Sequence, residues 1–315
     1  MIIVNKSNKD VLLKRNVYKN ADQILASYGK SFHFARYFLG NKASYQSTCL
    51  YAFCRYLDDI ADSENNLDKL IKIKESVTNQ KKGISIHPYI DSFLELSNEA
   101  KIPKNAPIDL LSGLISDQGK VMISNEGDLI RYAYQVAGTV GLMMASILGT
   151  KNKVAIAFAI DLGIAMQLTN IARDVLEDAG NNRRYLPGSW CNNINPEEIL
   201  ECAEIIDEKK SADITFAINK VLLLAERYYQ SGMNGLKYLS FRNHIAIGIA
   251  AIVYRLIGRK IIKKGTRWWE GREIIGLGSK IINSFLVLIS LFSRLNKNPL
   301  HNVDLHIHLR DFLND

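Results

Sequence analysis

Apolar residues recur at three- and four-residue intervals along almost the whole chain, in 45–61, 129–148, 155–175, 212–228 and 245–262. Alternating strand patterns bounded by turn residues are missing, so the chain is expected to be all-α. The breakers fall where helices should end: Lys81-Lys82-Gly83 with Pro88, Pro103 with Pro107, Gly180-Asn181-Asn182, and Pro187-Gly188. None resembles a linker and no segment repeats. The simplest organisation is therefore one helical domain, 21–315, around a central cavity, preceded by a loose leader, 1–20.

With 47% hydrophobic and 23% charged residues, 6 Pro and 20 Gly in 315, the chain has material for a large core, which excludes disorder, collagen and small disulfide scaffolds. Cys49, Cys54, Cys191 and Cys202 show no CxxC spacing and read as reduced thiols of a cytoplasmic protein. The first twenty residues carry several charges and no long apolar run, so no signal peptide is expected. The charge-free stretch 132–150 is long enough to span a bilayer, but Gln135, Thr139, Ser146 and its glycines suit a helix buried in protein. The apolar stretch 281–293 is too short to span; it closes a core or lies on a membrane surface. The net charge of +8 favours a polyanionic partner: nucleic acid, an anionic membrane face or a phosphorylated small molecule. No nucleic-acid-binding module or basic stripe with interleaved aromatics is present, which argues against nucleic acid.

Two acidic segments carry the chemistry. In Arg55-Tyr56-Leu57-Asp58-Asp59-Ile60-Ala61-Asp62, at the end of an apolar helical run, Asp58 and Asp62 share a helix face. Like charges at that spacing destabilise a helix unless a cation lies between them. In Gln167-Leu-Thr-Asn170-Ile-Ala-Arg173-Asp174-Val-Leu-Glu177-Asp178, residues Asn170, Asp174 and Asp178 form a narrow stripe flanked by Gln167 and Arg173. Either segment alone fits a solvated acidic patch; two, each on an apolar helix with arginine, do not. Hard oxygen ligands without His or Cys suit Mg²⁺, with Mn²⁺ as a substitute, and disfavour zinc.

Four stretches in this order and spacing resemble the squalene and phytoene synthases: Ser27-Tyr-Gly-Lys30-Ser31-Phe32; Leu50-Tyr-Ala-Phe-Cys-Arg55-Tyr-Leu-Asp-Asp-Ile-Ala-Asp62; Tyr132-Ala-Tyr-Gln-Val-Ala-Gly-Thr-Val-Gly-Leu-Met-Met144; and Gln167 to Asp178 with Arg184-Tyr-Leu-Pro187. Within that family, the third stretch and Tyr185-Leu-Pro-Gly-Ser-Trp190 are most similar to the bacterial phytoene synthases. The resemblance covers about residues 25–275.

It implies the isoprenoid synthase fold and head-to-head condensation of two prenyl diphosphates, here two geranylgeranyl diphosphates, through a cyclopropylcarbinyl diphosphate to phytoene. It implies Mg²⁺ held by Asp58, Asp62, Asn170, Asp174 and Asp178 with Asp59 in support, and diphosphate gripped by Lys30, Ser31, Arg55, Arg173, Arg184 and Arg272. Tyr132, Gln167, Tyr185 and Tyr254 match cavity positions near the reacting carbons. NADPH is not expected for phytoene formation. The rivals are squalene, dehydrosqualene or hydroxysqualene synthesis from farnesyl diphosphate, and a non-catalytic scaffold; the scaffold would be expected to lack motif aspartates that are present here. Leu176, His33 and Gly180-Asn181-Asn182 depart from the family pattern and bear on substrate preference.

The diphosphate chemistry needs a dry neighbour, because the allylic cation would react with water. Ala133, Ala137, Gly141 and Ala145, four residues apart, make a shallow stripe that either accepts a polyprenyl tail or packs a helix closely. An oily product must leave into lipid, so loose peripheral membrane contact is expected near the cavity mouth, involving 281–292.

Overall fold

The computed structural model describes residues 6–63, 66–79, 86–150, 152–205, 207–273, 275–276, 278, 282–283, 285–295 and 298–313. Its helices are α1 (Lys6–Tyr28), α2 (Lys30–Arg36), α3 (Asn41–Ala61), α4 (Leu67–Asn79), α5 (Pro88–Ala100), α6 (Asn105–Ser116), α7 (Glu126–Ala133), α8 (Thr139–Ile147), α9 (Lys153–Arg173), α10 (Val175–Gly180), α11 (Pro196–Glu204), α12 (Glu208–Asn234) and α13 (Phe241–Lys263). Short helical turns follow, including Leu286–Leu291 and Val303–Leu309. Among the described residues the only strand pairing is two residues long, Val121–Met122 parallel to Arg183–Arg184. The all-α expectation holds among the described residues.

Helix starts follow the polar residues that can satisfy free backbone N–H groups. Asn152 caps α9, Asp207 caps α12 and Ser240 caps α13, while Asn195 and Glu198 form a reciprocal capping box on α11. Pro88 opens α5. Pro107 lies inside the first turn of α6 rather than ending a helix, a position where its missing N–H costs nothing. Lys81, Lys82 and Gly83 lie outside the described residues. Helix α1 begins at Lys6, so residues 6–20, expected as a loose leader, are helical and continue into a helix that packs on α3.

Helix α9 is the axis of the molecule, packed against α8, α12 and α13. It is also the one described helix long and apolar enough to cross a membrane, yet it is mostly buried within the bundle. Stretch 132–150 is likewise an interior element, as its composition indicated, with one π-helical turn, Tyr134–Gly138, between α7 and α8. Close helix crossing here depends on glycine. A Cβ on Gly141 would stand 2.1 Å from the carbonyl oxygen of Ala159, and one on Gly163 would stand 2.3 Å from that of Ala137. The small-residue stripe thus packs helices closely, and Ala137, Gly141 and Ala145 also line the cavity while Ala133 is fully buried.

Candidate active site

A cavity of about 380 Å³ runs between α2, α3, α8, α9 and α13. Most of its wall is apolar, including Phe32, Leu50, Val140, Met144, Met166 and Ala250. Polar groups of the two acidic segments join it through Asp58, Gln167 and Asn170, with Tyr51 and Tyr254 on the same lining. The helical periodicity explains the pairing: Asp58 is one turn beyond Cys54 and two beyond Tyr51, both also on the cavity.

The second segment departs from a continuous helix. Helix α9 ends at Arg173 and α10 starts at Val175, with Asp174 at the break. The bonds Asp174 N–H to Asn170 O, 2.9 Å, and Asp178 N–H to Asp174 O, 2.8 Å, preserve the four-residue spacing across it. Arg173 grips Asp174 through Nε and Nη2 at 2.7 and 2.5 Å, and Arg272 approaches the same carboxylate at 3.3 Å and Glu177 at 3.6 Å. Asp174 is thus held between two guanidinium groups.

The first segment splits by face. Asp59 turns outward and pairs with Arg55 at 2.6 Å, and Arg55 also lies over the Tyr28 ring at 4.5 Å. Asp62 pairs with Arg183 at 3.1 Å. Lys30 is exposed and Ser31 half-buried at the start of α2, beside the cavity-lining Gly29 and Phe32.

Arg184 stands apart from its expected role. It is buried, and its Nη1 donates to the carbonyl oxygens of Ile123, at 3.0 Å, and Leu186. Its neighbour Arg183 faces the carboxylates instead. Successive residues of a strand point to opposite sides, and the two arginines form such a strand.

Tyr132 and Tyr185 are also displaced from expectation, since neither lines the cavity. They stack at 4.7 Å and both donate to Oδ2 of Asp117, at 3.0 and 2.6 Å. Burial, then the Asp117 charge, pushes both phenols above their ordinary range, so they remain donors. Asp117 is the functional candidate that the sequence did not disclose. It stands alone at the C-terminus of α6 with no acidic partner nearby in the chain.

Asp117 bridges the two segments electrostatically. Burial pushes Asp58 up to about 7, with Asp62 adding repulsion and Arg55 opposing it. Burial likewise pushes Asp178 up to about 8, reinforced by Asp174, Glu177 and Asp117 and opposed by Arg183. The Asp117 carboxyl is itself raised by burial, although Tyr185 and Arg183 pull it back. Among the described residues, Oδ1 of Asp117 and Oδ1 of Asn170 are buried acceptors without a hydrogen-bond partner. An oxygen-rich cluster that is short of positive charge, with two unused acceptors, fits a hard divalent cation.

The sequence profile of the squalene/phytoene synthase family matches residues 25–275. The chain is 34% identical over 264 residues to the 15-cis-phytoene synthase of Enterobacter agglomerans, covering 80% of this chain and 88% of that one. It is 32% identical over 302 residues to the 15-cis-phytoene synthase of Pantoea ananas, covering 90% and 95%. A crystal structure of a dehydrosqualene synthase in complex with ligand superposes with a TM-score of 0.78 at 23% identity, covering 89% of this chain and 98% of that one. A helical bundle whose apolar cavity takes in Asp58, Gln167 and Asn170, matched by the family profile over residues 25–275, defines the class: the chain belongs to the squalene/phytoene synthase family. It is accordingly a prenyltransferase of isoprenoid biosynthesis.

Proposed function

We propose that this enzyme joins two molecules of geranylgeranyl diphosphate head to head and forms phytoene, a step of carotenoid biosynthesis. The observation that carries the reading is the cavity in which Asp58, Gln167 and Asn170 share a mostly apolar wall. A diphosphate at the polar end and a polyprenyl tail along Ala137, Gly141 and Ala145 would match the two halves of such a substrate. The names of the bacterial relatives support this product over others.

In this reading Asp58, Asp62, Asn170, Asp174 and Asp178 hold Mg²⁺ or Mn²⁺, with Asp59 supporting them through Arg55. The family depends on divalent metal in general. Bound there, the cation supplies charge neutralisation for the departing diphosphate, a stabilisation greater in the transition state than in the ground state. Arg55, Arg173 and Arg272, with Lys30, Ser31 and Arg183, bind diphosphate oxygens. For Arg173 and Arg272 this requires an exchange of partner, from Asp174 to the substrate.

One prenyl diphosphate ionises, and its allylic C1 cation is attacked by the double bond of the second substrate. Loss of a proton closes the cyclopropylcarbinyl diphosphate, whose own ionisation and rearrangement, with loss of a second proton, give the linear hydrocarbon. Two diphosphates leave. Gln167 and Tyr254 orient the reacting ends from the cavity wall, while Tyr132 and Tyr185 act through Asp117. Tyr254 adds cation–π stabilisation of about 0.5–2 kcal/mol.

Release of the oil places one face at a membrane. The segment Leu286–Leu291 seats Val287 against Gly248, beside Leu236, which lines the cavity. Phe285, Ile289 and Phe292 stand exposed one layer outside that wall. Ile281 and Ser284, part of the stretch expected to make this contact, lie outside the described residues. Flotation with anionic vesicles should carry the protein upward, and Phe285→Ser with Ile289→Ser should release it; no vesicle binding by the unmodified protein would overturn the assignment.

Product analysis of the purified enzyme with Mg²⁺ and either farnesyl or geranylgeranyl diphosphate tests the main reading. A C40 hydrocarbon formed without NADPH is expected. Exclusive C30 products would overturn it in favour of dehydrosqualene-type synthesis.

A further inference from the structure

A second cluster lies well away from the acidic opening. Asp161, on α9, is fully buried. His306 Nε2 lies 2.7 Å from its Oδ1, His301 Nε2 lies 2.8 Å from its Oδ2, and Ser231 of α12 donates to Oδ2 at 2.5 Å. The two histidine side chains are only 8% and 13% exposed. One ligand atom from each of Asp161, His301 and His306 falls within 4.8 Å of the others. Asp161 precedes Asn170 by nine residues on the same helix, or about 13 Å along its axis, so the cluster is separate from the site described above.

We propose that Asp161, His301 and His306 bind a transition-metal cation of the Zn²⁺ type. The donor set discriminates between the two centres. Imidazole nitrogens with one carboxylate suit zinc, which takes three protein ligands and leaves a fourth position for Ser231 Oγ or water. Mg²⁺ prefers oxygen and is matched by the aspartate and asparagine cluster instead. Tetrahedral arms of about 2.0–2.1 Å put ligand atoms about 3.3 Å apart, so each histidine nitrogen, now 2.7 or 2.8 Å from the Asp161 oxygen it bonds, would move about 0.5 Å away from it. His306 lies in the short 3₁₀ segment Val303–Leu309, and His301 in the non-helical stretch just before it.

The ion would fasten the C-terminal segment across α9 and α12. Tyr228 of α12 already donates to the Leu305 carbonyl at 2.6 Å within the same clasp. Phe158, Ala159, Leu162 and Gly163, on either side of Asp161, line the cavity, so the fastening sets the position of that wall.

The test strips the full-length enzyme with chelator, saturates it with Mg²⁺ to fill the acidic opening, adds Zn²⁺, desalts and counts metal. About one Zn²⁺ per chain is expected on the wild type. His306→Gln keeps a side-chain N–H that can reach Asp161 and removes the nitrogen ligand; His301→Ala removes the other. Loss of the ion in either variant, with helicity retained by circular dichroism, supports the site. Should the variants not fold, visible absorption of Co²⁺ bound to Mg²⁺-saturated wild type decides, because imidazole-ligated four-coordinate Co²⁺ absorbs strongly and an oxygen-only octahedral site does not. No Zn²⁺ retained by the wild type, the same retention in all three proteins, or only the octahedral Co²⁺ spectrum overturns the proposal.

Discussion

Arg183 and Asp62, separated by 121 positions in the chain, meet at 3.1 Å and tie the end of α3 to the segment that follows α10. The contact brings the two acidic segments under one cation of the protein's own. Its neighbour Arg184 holds the loop together from inside. Arg183→Ala should therefore lower turnover with little change in Tm. Arg184→Ala should cost about 2–4 kcal/mol, because it leaves a cavity and buried carbonyls without donors. Denaturant melts alongside steady-state kinetics distinguish the two; equal loss of stability in both would contradict the division.

The raised carboxyls give the metal-free enzyme an inverted pH dependence. Asp58 moves from an ordinary 3.8 to about 7 and Asp178 from 3.8 to about 8, so folding favours their protonated forms. The stability they contribute is present below about pH 4 and is lost as pH rises toward about 7–8. Asp58→Asn and Asp178→Asn should each gain about 1–3 kcal/mol at pH 8 without metal and lose catalysis. Mg²⁺ should raise the Tm of the wild type at pH 8 and not that of the double variant. Thermal melts across pH 5–8, with chelator and with Mg²⁺, measure all of this.

Asp117 accepts two phenols on one oxygen and leaves the other without a partner. Asp117→Asn should lower kcat by about 10- to 100-fold while the helical signal persists. Tyr185→Phe, which removes the shorter bond, should cost about 1–3 kcal/mol by leaving the buried carboxylate with one donor. A kcat unchanged in Asp117→Asn would remove this residue from the site.

Gly141→Ala and Gly163→Ala should each destabilise the fold by about 1–3 kcal/mol, since the added methyl meets main-chain carbonyls that cannot turn aside. Gly40→Ala, where nothing lies within 4 Å, is the control and should be close to neutral.

The helices and the paired aspartates were legible because both rest on local periodicity. Asp58 and Asp62 stand one helical turn apart at the end of α3, and Asn170, Asp174 and Asp178 follow one another at the same four-residue step. The break at Asp174 was hidden, since its flanking bonds keep the helical spacing. Asp117 was illegible for a different reason: its partners Tyr132 and Tyr185 are brought to it by tertiary packing alone. The choice between Arg183 and Arg184 turns on a two-residue strand too short to leave any alternating pattern.

The glycine crossings at Gly141 and Gly163 set the spacing of α9 from α8 and from the π-helical turn before it by main-chain contact, not by the bulk of side chains. The gauge of the cavity at these crossings is consequently a property of the main chain, so a substitution elsewhere along the wall should alter its depth without moving the helices apart.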